Sequence, residues 1–347
     1  MITKRSFGKT NKDEVVTLYT IDNGQAKASI MDFGANLVSF EVKDKNGKFV
    51  DIVLGYDDAS GYDNDRGTYF GATVGRFANR IANGKFVLND KEYTLPINNN
   101  GKHCLHGGLN GFSFEMYDIT LGEDSISAHI LSPDGDEGFP GNLDFTVKYT
   151  LVGAELSIEY FAESDADTVI GFTNHSYFNL NGGTSGTTIL NHTLTVDADG
   201  YCEVDSDALV TGNIFPVKDT PYDFRKPKLL STVLGDETGP LSVTGGGIDN
   251  NLVLSACKRE LSYAATLYNT DNGISLDCLT DMPGVQIYTG TFLDTIGKQG
   301  TPHKKFSAIC LETQGCPNSP NVHYFPSPVL RAGEKFYSKT IYTASVK

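Results

Sequence analysis

The feature that most constrains this chain is its rhythm: short runs of alternating or β-branched residues, broken every few residues by turn chemistry. Val15–Ile21, Leu37–Lys43, Leu143–Tyr149, Leu156–Phe161 and Phe336–Thr343 all read as strands. Lys45-Asn46-Gly47, Asn89-Asp90, Pro133-Asp134-Gly135 and Asp271-Asn272-Gly273 read as turns between strands, and the 37 glycines fit a chain that turns this often. No segment sustains a 3.6-residue apolar period over an ordinary helix length. Short helical turns are expected only at Pro221-Tyr-Asp-Phe-Arg225 and Ser231-Thr-Val-Leu-Gly235. Many short strands with regular turns argue for an all-β sandwich or barrel rather than a parallel α/β sheet. With no low-complexity linker, charge block or short repeat, residues 1–347 are expected to form one domain.

Charge and cysteine usage narrow the function classes. The formal net charge is −15, which disfavours nucleic acid, anionic membranes and phosphorylated ligands, and is permissive for a neutral ligand such as a sugar. No apolar run follows the basic residues of Met1–Phe7, and no stretch approaches the ~20 apolar residues of a membrane span. A cytoplasmic location is therefore expected. The six cysteines (104, 202, 257, 278, 310 and 316) lack paired spacing and read as reduced thiols. The sequons at Asn174 and Asn191 then carry no glycan.

Three settings carry chemistry. Leu311-Glu312-Thr313-Gln314 ends an apolar strand-like run, so its carboxylate is partly desolvated, which raises its pKa toward that of a useful base. Against this stands the plain reading of a surface glutamate at a strand edge. His175 lies in the polar–aromatic run Thr173-Asn-His-Ser-Tyr-Phe-Asn179, where Asn174, Ser176 and Asn179 are placed to orient its ring. The competing reading is a satisfied turn histidine. His106 precedes Gly107-Gly108, which permit close backbone approach of a ligand. One carboxylate and two imidazoles suffice to move two protons near neutral pH.

His103-Cys104-Leu105-His106 raises the question of a metal, but it has no matching distal ligand pair, and no metal or cofactor is expected. In Gly75-Arg76-Phe77-Ala78-Asn79-Arg80-Ile81 an extended backbone puts Arg76 and Arg80 on one face. Their forks and the Asn79 amide suit vicinal hydroxyls, although two structural salt bridges fit the composition equally well. Gly245-Gly-Gly-Ile-Asp-Asn250 lacks the Lys-Ser/Thr of a phosphate loop, so Asp249 is either a hydroxyl acceptor or a turn residue.

Taken in order, Gly34-Ala-Asn-Leu37, Gly75–Ile81, Leu105–Gly108, Thr173–Leu180, Gly247-Ile-Asp-Asn250, Pro283-Gly-Val-Gln-Ile-Tyr-Thr-Gly290 and Leu311–Gln314 resemble the aldose 1-epimerases, or galactose mutarotases, over nearly the whole chain. The resemblance implies a large antiparallel β-sandwich (a supersandwich) with an open sugar cleft. It also implies cofactor-free interconversion of the anomers of a free hexose such as D-galactose or D-glucose, by a monomer or homodimer. Carried over position by position, Glu312 is the general base, His175 the general acid and His106 a second donor near the ring oxygen. Asn79, Arg80, Asp249 and Gln286 bind hydroxyls. One departure stands out: Gly315-Cys316 is smaller than what family members often carry there, which implies a shifted sugar preference, toward larger saccharides. Two alternatives remain open, a hexose 6-phosphate epimerase and a catalytically idle sugar-binding module.

Overall fold

A computed structural model describes residues 1–255 and 260–347. Cys257 lies outside the described residues; the other five cysteines are buried.

The expected strands form: Leu37–Lys43 with the expected bounds, and Val15–Asp22, Leu143–Val152, Glu155–Ser164 and Lys335–Val346 each longer than its apolar pattern. The turn residues act as their chemistry dictates. Asn89 and Asp90, both at positive φ, close the hairpin between Lys85–Leu88 and Lys91–Thr94. The helical expectations fare less well. Leu230–Thr232 is a short 3₁₀ turn that overlaps the anticipated Ser231–Gly235, but residues 221–225 form no helical turn. The α-helix among the described residues, Ala59–Asn64, went unanticipated because six residues are too few to show a period. Asp58 caps it, accepting from the Ser60 and Gly61 amides.

Three antiparallel sheets dominate. The largest has nine strands, in the order Asp118–Leu121, Ser125–Ser132, Leu143–Val152, Glu155–Ser164, Lys335–Val346, Ile274–Thr280, Ser262–Asn269, His192–Val196 and Lys228–Leu229. A six-stranded sheet runs Tyr177–Phe178, Ile309–Gln314, Gly284–Tyr288, Asp249–Leu254, Ala198–Val204 and Val210–Pro216. A five-stranded meander spans Ile2–Asp51.

Alternation along the strands decides what is buried. Phe145, Val147, Tyr149, Leu156 and Ile158 of the large sheet share one core with Leu252, Val285, Ile287, Ile309 and Leu311 of the six-stranded sheet and with Ile30, Leu37 and Phe40 of the meander. The Tyr342 hydroxyl crosses between the two larger sheets, donating to the Leu311 carbonyl at 2.6 Å. This is the expected antiparallel sandwich. Its effect on function is that the six-stranded sheet has one face sealed in the core and the other free to build a site.

A second cluster backs that free face. Phe7, Leu18, Tyr62 and Phe70 pack with Tyr177, Tyr288 and Cys310. No helix among the described residues is long and apolar enough to cross a membrane.

Candidate active site

The site follows from β-sheet register. In Ile309–Gln314 every residue is buried. Ile309 and Leu311 point into the shared core, so Cys310, Glu312 and Gln314 must emerge on the other face. Antiparallel pairing puts Gln286 opposite Glu312 and Asn251 opposite Gln286. One step along, Tyr177 and Tyr288 flank Cys310, and Asp249 lies opposite Tyr288. Residues directly opposite on neighbouring strands share a face, so four strands write a polar row on an otherwise apolar sheet. Glu312 is therefore not the surface glutamate of the plain reading: it is 2% exposed, on a strand with neighbours on both sides.

The histidines arrive from loops. Asn79 and His106 both sit at positive φ, and their loops are tied together: the His106 amide donates to the Asn79 carbonyl, and the Asn79 amide to His106 Nδ1 at 3.2 Å. A nitrogen that accepts carries no proton, so neutral His106 holds its hydrogen on Nε2. The glycines that follow do not make room for a ligand, as the sequence suggested. A Cβ on Gly107, which is at positive φ, would lie 1.9 Å from the Gly75 carbonyl oxygen. The close approach is backbone to backbone, and it fixes the His106 loop on the Gly75–Ile81 run.

His175 lies over the end of the polar row. Its ring stacks on Tyr177, with centroids 5.0 Å apart, and on Tyr69 at 6.0 Å; it meets His106 edge-on at 5.3 Å. Its Nε2 is 3.6 Å from Glu312 Oε1, and its Nδ1 is 3.6 Å from the Cys310 sulfur. The neighbours expected to orient this ring do other work. Asn174 binds the Gly71 carbonyl and the Tyr149 hydroxyl, Ser176 binds Asn174, and Asn179 binds the Thr187 and Ser307 carbonyls.

All seven anticipated site residues line one cleft of about 170 Å³: Asn79, Arg80, His106, His175, Asp249, Gln286 and Glu312. Sequence reasoning gave no separate role to Tyr69, Tyr177, Tyr288 and Phe292, which also line it. Tyr177 and Tyr288 stand inside the recognised runs, but Tyr69 and Phe292 lie in loops with no distinguishing pattern.

Arg80 donates from Nε to Asn99 Oδ1 at 3.0 Å. Arg76 does not share its face. No strand forms at Arg76, whose guanidinium is buried against Ser132 Oγ and the carbonyls of Ser132, Pro133 and Pro140. Asp249 opens a strand and accepts from Gln286 Nε2 at 2.6 Å, while Gln286 Oε1 faces Gln314 Nε2 at 3.4 Å. The glycines before Asp249 belong to a turn, in which a Cβ on Gly247 would strike Thr291 Oγ1 at 1.9 Å. Gly315 and Cys316 do not line the cleft: Cys316 packs away from it with Cys202, Val210, Val322 and Phe325.

Burial dominates the electrostatics of the site. Burial depresses His175 to about 4, and burial, then His175 and Arg80, hold His106 well below its ordinary value. Both rings are neutral at pH 7. Burial, then the charge of Asp249, pushes Glu312 well above the usual carboxylate range, with Arg80 pulling the other way. Glu312 Oε2 is buried with no hydrogen-bond partner among the described residues. An unpartnered buried carboxyl oxygen is costly, which marks it as reserved for a ligand.

His103 belongs to no such cluster. Its Nδ1 accepts from the Asn83 amide at 3.1 Å, and its Nε2 faces Asp207 at 3.6 Å. The grouping with metal-ligand composition is His175, Cys310 and Glu312. Their ligand atoms lie within 4.8 Å of one another, with Glu312 near Nε2 of the ring and the Cys310 sulfur near Nδ1, among the described residues.

Known proteins carry the same pattern. The sequence profile of the family described as aldose 1-epimerase matches residues 17–343. A galactose mutarotase of Bos taurus is 40% identical over 95% of this chain and 94% of its own length. An aldose 1-epimerase of Escherichia coli is 33% identical over 92% of each. The crystal structure of an aldose epimerase homologue from C. elegans superposes with a TM-score of 0.88 at 34% identity, covering 95% of this chain and 98% of that one. With its sandwich, its cleft and this match along nearly its whole length, the chain belongs to the aldose 1-epimerase family of isomerases.

Proposed function

We propose that the chain interconverts the α and β anomers of free hexoses such as D-galactose and D-glucose by acid–base opening and reclosure of the ring. The carrying observation is the buried, unpartnered Glu312 carboxyl 3.6 Å from a neutral imidazole nitrogen. Mutarotation of a hemiacetal needs a base at the anomeric hydroxyl and an acid at the ring oxygen. A 3.6 Å separation, longer than a direct hydrogen bond, leaves both groups uncommitted until the hydroxyl and ring oxygen of a sugar reach them from the cleft.

In the forward direction, Glu312 takes the proton from the hydroxyl on C1 as His175 Nε2–H delivers one to the ring oxygen. The C1–O5 bond breaks, giving the open-chain aldehyde. Rotation about C1–C2 presents the other carbonyl face, and reclosure with the proton roles reversed gives the other anomer. His106, with its hydrogen on Nε2, is the second donor toward the ring oxygen. Asn79, Arg80 and Asp249 hold the remaining hydroxyls. Gln286 clamps Asp249 with one amide hydrogen and has the other for the sugar. Tyr69 and Phe292 offer flat apolar surface to the pyranose face.

The phosphate alternative loses its footing with Arg76, which is spent on structural carbonyls and leaves Arg80 as the one arginine of the cleft. An idle binding module has no use for a carboxyl oxygen kept unsatisfied beside an imidazole. Negative charge and cysteines without paired spacing favour a cytoplasmic catalyst without nucleic acid or membrane partners; the family resemblance adds a monomer or homodimer. The test is polarimetry on freshly dissolved α-D-galactose, α-D-glucose and glucose 6-phosphate. Acceleration on the first two, unchanged by exhaustive chelation, is expected. Acceleration only on the phosphate, or activity lost to EDTA and restored by zinc, overturns the reading.

A further inference from the structure

The ring of His175 has two nitrogens, and the proposed chemistry requires its proton on a particular one. Neutral imidazole chooses its tautomer from what each nitrogen meets. Nε2 faces the cleft and Glu312 Oε1 at 3.6 Å, beyond hydrogen-bond length for nitrogen and oxygen, so that side does not fix the choice by itself. Nδ1 meets two groups: the His175 backbone carbonyl, which favours a proton there, and the Cys310 sulfur at 3.6 Å, within reach of a thiol hydrogen bond that opposes it because sulfur is larger. Tyr69 and Tyr177 stack on the ring and prevent it from turning away.

We propose that Cys310 is a positioning residue: its thiol donates to Nδ1 of His175 and so holds the ring's proton on Nε2, where the sugar's ring oxygen receives it. The opposite arrangement, with Nδ1–H pointing at sulfur, turns a bare Nε2 lone pair toward an ionised Glu312. Two acceptors then face each other at 3.6 Å, and the cleft has no proton to give. Burial, with Glu312 and Asp249 nearby, keeps Cys310 in its thiol form, so the hydrogen the bond needs is present at working pH. Register puts both groups on the side where His175 lies: Cys310 and Glu312 are two residues apart on one strand face, so the strand that supplies the base also supplies the group that sets the acid.

The inference rests on reading His175 as the acid, and its test separates the two. Imidazole nitrogen chemical shifts of His175, read in the wild-type protein at the pH of maximal activity, report the tautomer directly, whatever role the ring plays. Wild-type protein is expected to show Nε2–H. Cys310→Ala is expected to show a mixed tautomer, with turnover lower by about fivefold, the worth of one ordinary hydrogen bond, and an unchanged KM. Cys310→Ser, which restores an O–H donor, is expected to recover both tautomer and turnover. A wild-type Nδ1–H tautomer overturns the proposal without any variant, and so does a Cys310→Ala protein that keeps pure Nε2–H. Unchanged turnover in His175→Ala would instead refute the acid assignment while leaving the tautomer result standing.

Discussion

Two concave polar surfaces of the described residues invite comparison, and the larger one is the less interesting. The outer face of the N-terminal meander opens a cavity of about 680 Å³, against about 170 Å³ for the cleft around Glu312. Both are lined with charge. On the meander the charges answer one another. Lys27 lies between Asp22 at 3.6 Å and Glu41 at 4.0 Å, and Lys298 binds Asp51 at 2.7 Å and the Val53 carbonyl at 3.1 Å. Thr20 and Ser29 share a hydrogen bond at 2.8 Å. None of the buried unpartnered polar atoms among the described residues belongs to its lining, whereas the cleft contains Glu312 Oε2. Size reports where a sheet curves; unsatisfied polar groups report where the protein forgoes stability for a ligand.

The largest effect that breaks or sharpens this contrast is expected at Glu312. Glu312→Gln keeps the shape and removes the base, so turnover on galactose is expected to fall at least ~10²-fold. The same change replaces a burdened buried carboxyl with a neutral amide, so the melting temperature is expected to hold or rise. Polarimetry and thermal denaturation on one sample check both. A stable protein of near wild-type turnover would leave the cleft no more special than the meander. His175→Ala is expected to lose at least as much in kcat with little change in KM, because a donor to the ring oxygen matters most as charge develops there.

Arg76 and Arg80 restate the contrast within one run of residues. Arg80→Lys trades a planar fork for a point charge at the cleft. Losing one charge-assisted bond is expected to cost about ten- to a hundredfold in kcat/KM, with the melting temperature nearly unchanged. Arg76→Lys cannot reproduce bonds to four partners and is expected to do the reverse, lowering the melting temperature and sparing kinetics. Progress curves and melting curves of the two variants side by side decide it, and an exchange of phenotypes removes Arg80 from the site.

These arginines also show what the sequence can reveal. Strands were legible because alternation records which side faces the core, as at Leu37–Lys43, where the anticipated and observed bounds coincide. The cleft residues were legible through recognisable runs. Arg76 was misjudged because face-sharing was argued from an extended backbone, and no strand forms at Arg76. The glycines after His106 were read as room for a ligand, when their partner is the Gly75 backbone, distant in sequence. Tyr69 and Cys310 touch His175 only once loops and strands from three parts of the chain have met, and no local pattern encodes such a meeting.

A smaller effect tests the electrostatics. Asp249 helps hold Glu312 above the usual carboxylate range. A base works only when ionised, so activity is lost as pH falls through the raised value. Asp249→Asn removes a neighbouring negative charge and makes the ionised form of Glu312 less costly. The acid limb of kcat/KM is therefore expected to move to lower pH, even though the weaker grip on the sugar lowers the plateau. A limb that stays put, or moves up, would mean that another group governs it.

The smallest effect is expected on the meander, where it serves as the control for the whole comparison. Lys27 is partly exposed and lies between two carboxylates at distances typical of weak surface pairs, each worth about 0–1 kcal/mol. Lys27→Gln removes the cation at the middle of the larger cavity and leaves Asp22 and Glu41 facing one another in water. Stability is expected to drop by no more than ~1 kcal/mol, and less at high salt, where screening weakens both the lost attraction and the new repulsion. Turnover and KM are expected to stay within about twofold of wild type, since surface changes away from a site rarely exceed ~0.5 kcal/mol. Denaturant melts at two salt concentrations, paired with polarimetry, make the measurement. A marked change in KM would mean that sugar, or the motion that admits it, involves the meander face, and that pairing of charges is not what separates the two surfaces.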